Sequence, residues 1–70
     1  MILKEKIGKV IKTRRKELKM EQVDLQDYAE IGSTTLSKLE TGKLNITIDN
    51  LEKIMDVLGL ELIIKVKEKI

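Results

Sequence analysis

The 70-residue chain has no cysteine, histidine, proline, tryptophan or phenylalanine, and Tyr28 is its sole aromatic residue. Each absence excludes something. Without cysteine there is no disulfide framework. Without cysteine or histidine there is no zinc finger and no imidazole or thiol catalysis. Carboxylates alone can hold a hard cation, but no Asp/Asn-rich loop of that kind occurs, so no metal and no cofactor are expected. No phosphate-cradling glycine loop is present either, and an enzyme is the least favoured reading. No apolar run approaches the roughly 20 residues of a membrane span, and no signal-peptide pattern opens the chain. A cytoplasmic location is therefore expected. No linker, repeat or low-complexity tract divides the sequence, so residues 1–70 are expected to form a single domain. A domain of this size buries only about 60% of the surface its unfolded chain exposes. With disulfides and metals excluded, oligomerisation is the remaining common support.

Charge is present and unevenly placed. Residues 1–20 carry eight basic residues against Glu5 and Glu17, a balance of +6, and residues 21–70 balance to −4. A basic first segment on an acidic remainder suggests a face for nucleic acid or another anionic surface. For most of these lysines, solubility is a sufficient explanation. Some should add salt-dependent affinity for a polyanion through counterion release.

The pattern along the chain is helical. Leu3, Ile7, Val10, Ile11 and Leu18 fall in one broad stripe at 3.6 residues per turn, predicting a helix from about Leu3 to Lys19. Gly8 inside it either permits a close helix contact or marks a frayed start, at a cost of up to about 1 kcal/mol in propensity. A short helix follows from about Gln22 to Ala29, with Val23, Leu25 and Ala29 as apolar points and Tyr28 partly buried. Glu30-Ile31-Gly32 reads as a tight turn, with Gly32 free to take positive φ. The next helix, about Ser33 to Glu40, would bury Leu36 and Leu39, be capped by Gly32 or Ser33, and stop at Gly42. After a loop from Lys43 to Ile46, Thr47 is a candidate N-cap, with Asp49 in the first turn matching the helix dipole. Ile48, Leu51, Ile54, Met55 and Leu58 continue at helical spacing, and Gly59 ends that helix.

The tail changes period. Leu62, Ile64 and Val66 alternate with Glu61, Ile63, Lys65 and Lys67, which predicts a strand over about residues 61–67. A lone strand leaves its backbone groups unpaired. Met1-Ile2-Leu3 is the only candidate partner within the chain, and it is very short. The favoured reading is an antiparallel pair with the same tail of a second copy, placing Leu62, Ile64 and Val66 in a homodimer interface. The expected class is thus mainly α: four helices with a C-terminal β-strand pairing across a homodimer.

Two short helices joined by a glycine-containing turn, at about residues 22–40, form a helix-turn-helix pattern. In that motif the second helix enters the DNA major groove and its N-terminal residues reach base edges. Ser33, Thr34, Ser37 and Lys38 are poor core residues but suit such a surface. Hydroxyls bond bases or phosphates, and lysine pairs guanine or phosphate. The plainer alternative for the four is a solvated helix face.

Gln22-Val23-Asp24-Leu25, Ala29, Ile31 and the run Thr35-Leu36-Ser37-Lys38-Leu39-Glu40-Thr41-Gly42 resemble the Cro/C1-type (Xre) helix-turn-helix family over about residues 7–59. The strand after the last helix resembles the HipB-type antitoxin branch. The resemblance implies a lambda-repressor-like fold and assigns roles. Gln22 would bond a DNA phosphate or nearby base. Ser33, Thr34, Ser37 and Lys38 would occupy base-reading positions, and Thr35 and Lys43 phosphate-contacting ones. Arg15 would form a structural salt bridge with Glu40, with Arg14 as a close competitor. Three positions depart from the family pattern. Glu21 stands where a capping Thr is usual, Gln26 where a small Ala is usual, and Glu30 where the turn Gly is usual.

The implied function is a homodimeric transcriptional repressor on a palindromic double-stranded DNA operator. Its narrower form is an antitoxin that also binds a kinase-like toxin. The alternative is a protein-interaction module that neutralises a toxin or regulator without specific DNA binding, a reading kept open by the acidic balance of residues 21–70. A membrane-surface role for the basic first helix is weaker, because no Trp or Phe anchors it.

Overall fold

The computed structural model describes residues 2–43 and 45–67; Met1 and Leu44, which belong to the expected alternative strand and to the loop before the last helix, lie outside them. Four helices follow in order: α1 (Leu3–Glu17), α2 (Gln22–Ala29), α3 (Ser33–Glu40) and α4 (Ile48–Leu58). α1 packs on α3 and α4, and α2 packs on the same two helices. The core is Ile11 from α1, Leu25 and Ala29 from α2, Leu36 and Leu39 from α3, and Leu51, Ile54 and Leu58 from α4. The mainly α class is as expected.

All four helices stop in the same way. A residue at the C-cap or directly after it takes a left-handed conformation, and the next N–H reaches back to close the last turn. The left-handed residues are Lys19, Glu30, Gly42 and Gly59, with φ of 57°, 56°, 75° and 69°. The closing bonds are Met20 N–H to Arg15 O, Ile31 N–H to Gln26 O, Lys43 N–H to Lys38 O and Leu60 N–H to Met55 O. This is the Schellman arrangement, which satisfies carbonyls that a helix end leaves free. Gly32 was expected to supply positive φ in the turn, but it lies at φ −74° as the N-cap of α3, and Glu30 makes the turn instead. The turn needs its left-handed residue directly after Ala29, three positions before α3 begins.

α1 is rotated relative to the expected stripe. Its buried residues are Gly8, Ile11 and Arg15, with Ile7 half-buried, while Leu3 and Val10 are exposed. The two least apolar members of the inner face, a glycine and an arginine, make the closest contacts, so hydrophobicity alone misplaces the face. Leu18 is exposed because the helix ends at Glu17, and Lys19 turns the chain. A Cβ on Gly8 would stand 2.2 Å from the Leu39 carbonyl oxygen, so this glycine marks a close approach of α1 to the end of α3 and not a frayed start.

Tyr28 is 72% exposed, contrary to the expected partial burial, and Val23 is exposed as well. The covered side of α2 runs through Leu25 and Ala29 and extends toward Gln22 and Gln26, which are half-buried. Tyr28 lies on the opposite flank of that line, where no helix covers it. In α4, Thr47 is the N-cap and accepts from Asn50 N–H at 3.2 Å, and Ile48 is exposed on the outer side.

Residues 61–67 form neither a helix nor a strand ladder among the described residues. Leu3 opens α1, so the alternative intrachain pairing with residues 1–3 is not formed by the described part of that segment. Leu62 and Ile63 are exposed beside grooves between α1 and α4, and Ile64 and Val66 are 87% and 96% exposed. No helix is long and apolar enough to cross a membrane among the described residues.

Candidate nucleic-acid interface

The orientation of α3 is set at its C-terminal end. Arg15 and Glu40 are only 6% and 7% exposed. Arg15 Nε donates to Glu40 Oε2 at 2.7 Å, and its Nη2 donates to Oε1 at 3.0 Å. Its Nη1 donates to the Met20 carbonyl at 2.7 Å. Gln22 Nε2 donates to Glu40 Oε1 at 3.0 Å. A two-pronged guanidinium–carboxylate pair fixes angle as well as distance. One junction therefore ties α1, the start of α2 and the end of α3 together.

Burial alone would raise the Glu40 carboxyl. Hydrogen bonds from Arg15 and Gln22, and then the charges of Arg15 and Lys12, outweigh it and hold Glu40 below the usual carboxylate range. The hydrogen bond to Glu40 likewise holds the Arg15 guanidinium above its ordinary value, against the opposing effect of burial. The pair is thus ionised at neutral pH. Arg14, the competing candidate, does something else: its Nε donates to the Leu58 carbonyl at 2.9 Å, fastening α1 to the end of α4.

With its inner side held by Leu36, Leu39 and Glu40, α3 turns its other side outward. Ser33, Thr34, Ser37 and Lys38 are all exposed, and Thr35 is half-buried. Ser33 and Ser37 lie one helical turn apart, as do Thr34 and Lys38, so the four make two adjacent rows on one face. Lys43 is exposed just beyond Gly42. A face of hydroxyls with one lysine can donate to and accept from base edges and donate to phosphates.

Gln22 is half-buried at the first position of α2, and its amide nitrogen is engaged by Glu40. Sequence reasoning assigned it only a DNA role and missed this one. The signal was weak, since nothing in the spacing of Gln22 and Glu40 marks them as neighbours. Two further residues were missed. The exposed Thr41 donates from Oγ1 to the carbonyls of Ser37 and Lys38, at 3.2 and 3.0 Å, and so closes the end of α3. Lys12 is exposed, and its charge helps to hold Glu40 ionised. The unusual Glu21 precedes α2, and the Asp24 carboxylate reaches back to its N–H at 2.9 Å. The start of α2 is thus closed by acidic residues, where the family pattern has a neutral Thr.

Among the described residues no group of His, Cys, Asp and Glu is arranged to hold a metal. A search of curated proteins finds no match to the chain. The helix-turn-helix family HTH_3, which is of Cro/C1 type, matches residues 11–64, a span holding the buried junction, the exposed α3 face and all of α4. The chain therefore belongs to the Cro/C1-type helix-turn-helix family, a family of DNA-binding transcription regulators.

Proposed function

We propose that the chain is a homodimeric, sequence-specific transcriptional repressor that reads a palindromic operator in double-stranded DNA. The carrying observation is the exposed face of Ser33, Thr34, Ser37 and Lys38 on a helix held in place by the buried Arg15–Glu40 pair. A reading head must be rigid to discriminate bases, and this junction supplies the rigidity. Thr35, Lys43 and Gln22 are assigned to the flanking phosphates, the last through the part of its amide that Glu40 leaves available. Lysines of the basic first segment add sequence-independent attraction. The homodimer is supported by the apolar, exposed Leu62, Ile64 and Val66. Two recognition helices related by a two-fold axis read half-sites about one helical turn apart. Occupancy of the operator is the regulatory act, carried out in the cytoplasm, with no enzymatic step and no cofactor.

The test is the triple variant Ser33→Ala, Thr34→Ala, Lys38→Ala. All three positions are exposed, so the fold should survive. Preference for the duplex selected by the wild-type chain over a scrambled duplex should fall about 10- to 100-fold, as expected for losing one or two base contacts. An unchanged preference would return the chain to the alternative of a protein-interaction module.

A narrower form makes the chain the HipB-like antitoxin of a toxin–antitoxin operon, with a kinase-like toxin as second partner. Its support is the apolar tail that follows α4. A stable complex with the product of an adjacent kinase-like gene would favour it, and failure of the two to associate would confine the chain to repression.

A further inference from the structure

We propose that Lys12 on α1 and Gln22 at the start of α2 hold one backbone phosphate of the DNA between them. This rests on the DNA-binding reading above and adds a contact from outside the helix-turn-helix, at a residue to which that reading gives no role of its own.

The register of α1 places Lys12. Gly8, Lys12 and Arg15 stand at i, i+4 and i+7, so they share one side of the helix. Gly8 lies against the backbone of Leu39 and Glu40, and Arg15 binds the Glu40 carboxylate. Lys12 therefore stands beside the end of α3, at the exposed edge of that contact. Lys9 and Lys16 are exposed too, but each lies roughly 100° round the helix from its buried neighbour, whereas Lys12 is roughly 40° from Gly8 and 60° from Arg15. The charge of Lys12 acts on Glu40, the same carboxylate to which Gln22 Nε2 donates at 3.0 Å. Lys12 and Gln22 thus address one group from two helices.

What each can still donate decides the rest. The Gln22 amide has two N–H groups, and Glu40 takes one of them. The other is the donor left for a phosphate oxygen. Alone it is a weak anchor, because the start of α2 is acidic: Glu21 and Asp24 close it with their carboxylates. A phosphate there needs a cation beside it. Arg15 cannot be that cation, since it is buried and its nitrogens donate to Glu40 and to the Met20 carbonyl. Lys12 can. It is exposed, and its Nζ forms no ion pair among the described residues. A lysine supplies three donors on a flexible stem, which suits a phosphate whose exact position varies with the duplex.

The experiment uses the full chain and two probes, the duplex that the wild-type chain selects and a scrambled duplex of the same length. Lys12→Gln removes one charge from an exposed helix position, so the helical spectrum should be unchanged. Affinity should fall about five- to tenfold at physiological salt for both duplexes, and the slope of log affinity against log salt should flatten by about 0.9, the share of one phosphate. Lys12→Arg should keep both. Lys53→Gln, an equal charge change at an exposed position of α4, should move the slope by less than half as much. In a double-mutant cycle, Lys12→Gln with Gln22→Ala should weaken binding by less than the product of the two separate factors, because each removes part of the same contact. Equal slope changes for Lys12→Gln and Lys53→Gln would overturn the proposal in favour of a diffuse field. Losses at Lys12 and Gln22 that multiply in full would overturn the shared phosphate, as would coupling of Gln22 to Lys9→Gln or Lys16→Gln in place of Lys12→Gln. A wild-type chain that binds no duplex would overturn the DNA-binding reading itself.

Discussion

The two sides of α1 face different conditions. On one side, Gly8, Ile11 and Arg15 are buried against the rest of the chain, and Arg15, Glu40 and the Gln22 amide nitrogen are joined by hydrogen bonds of 2.7–3.0 Å. On the other side, Leu3 and Val10 border a groove with Leu62 and Ile63 at its rim, and the tail beyond carries exposed Ile64 and Val66. The first side is complete in one chain. The second is lined by apolar residues from α1, α4 and the tail. The difference separates two tasks on the proposed reading: the closed side orients α3, and the open side would set how two such helices are spaced in a homodimer. Two such helices on one operator would add base contacts that a single short helix does not make.

The largest effect should come from opening the closed side. Arg15→Ala leaves Glu40 buried without its counter-charge, which typically costs about 3–5 kcal/mol. A domain of this length has roughly that much stability in total. The variant should therefore be largely unfolded by circular dichroism at 25 °C. Arg15→Met combined with Glu40→Leu removes both charges and should recover most of the loss, since apolar replacements of buried pairs are often neutral. A folded, stable single variant would mean that the junction does not hold α3.

Breaking the open side should leave the fold and remove the partner. Ile64→Asp puts a charge on the exposed apolar tail assigned to the proposed homodimer. The chain should keep its helical spectrum, become monomeric at micromolar concentration, and lose operator affinity by a factor of about 10² or more as the half-sites are unlinked. A variant that remains dimeric would place the interface elsewhere.

Next in size is the approach of α1 to α3. Gly8→Ala adds a methyl against the Leu39 carbonyl, which is backbone and cannot rotate aside. Despite the helix propensity gained, a net loss of about 2 kcal/mol is expected in urea unfolding.

The junction also makes a pH prediction. The folded pKa of Glu40 is depressed, so its contribution is fully present above the unfolded carboxylate value of about 4.3. It is lost as pH falls through the lower folded value. Wild-type stability should decline below about pH 4.5. Glu40→Gln should be less stable at neutral pH and decline less steeply in acid. Equal acid slopes in the two proteins would remove Glu40 as the source.

The smallest effect is a gain. Glu30 holds φ 56°, where a side chain is strained and glycine is not. Glu30→Gly should stabilise by about 0.5–1 kcal/mol, the relief of strain exceeding the added entropy of the unfolded chain. A loss would show that the Glu30 side chain contributes more than its strain.

What was legible in the sequence follows the same division. α3 and α4 were readable to their ends because Gly42 and Gly59 announce left-handed stops and Thr47 a cap. Lys19 and Glu30 make the same stop without the residue type that signals it, so the end of α1 and the turn before α3 were misread. The core leucines of α3 and α4 showed in their spacing. The inner face of α1 did not, because its closest contacts belong to a glycine and an arginine, whereas Leu3 and Val10 are apolar for an outer surface. Tyr28 was misjudged by type, since on an eight-residue helix a residue's angle decides burial more than its hydrophobicity. The outward face of α3 was visible as a set of polar residues at helical spacing. The bond from Gln22 to Glu40 joins residues 18 apart in sequence and needs the folded chain to be seen.

The most direct test of the division between a closed reading side and an open pairing side is selection of bound duplexes from a random pool by the purified chain at near-physiological salt. Enrichment of a two-fold-symmetric site, with half-sites about one helical turn apart, is the expected result. Enrichment of a single asymmetric half-site, or of no sequence, would contradict it.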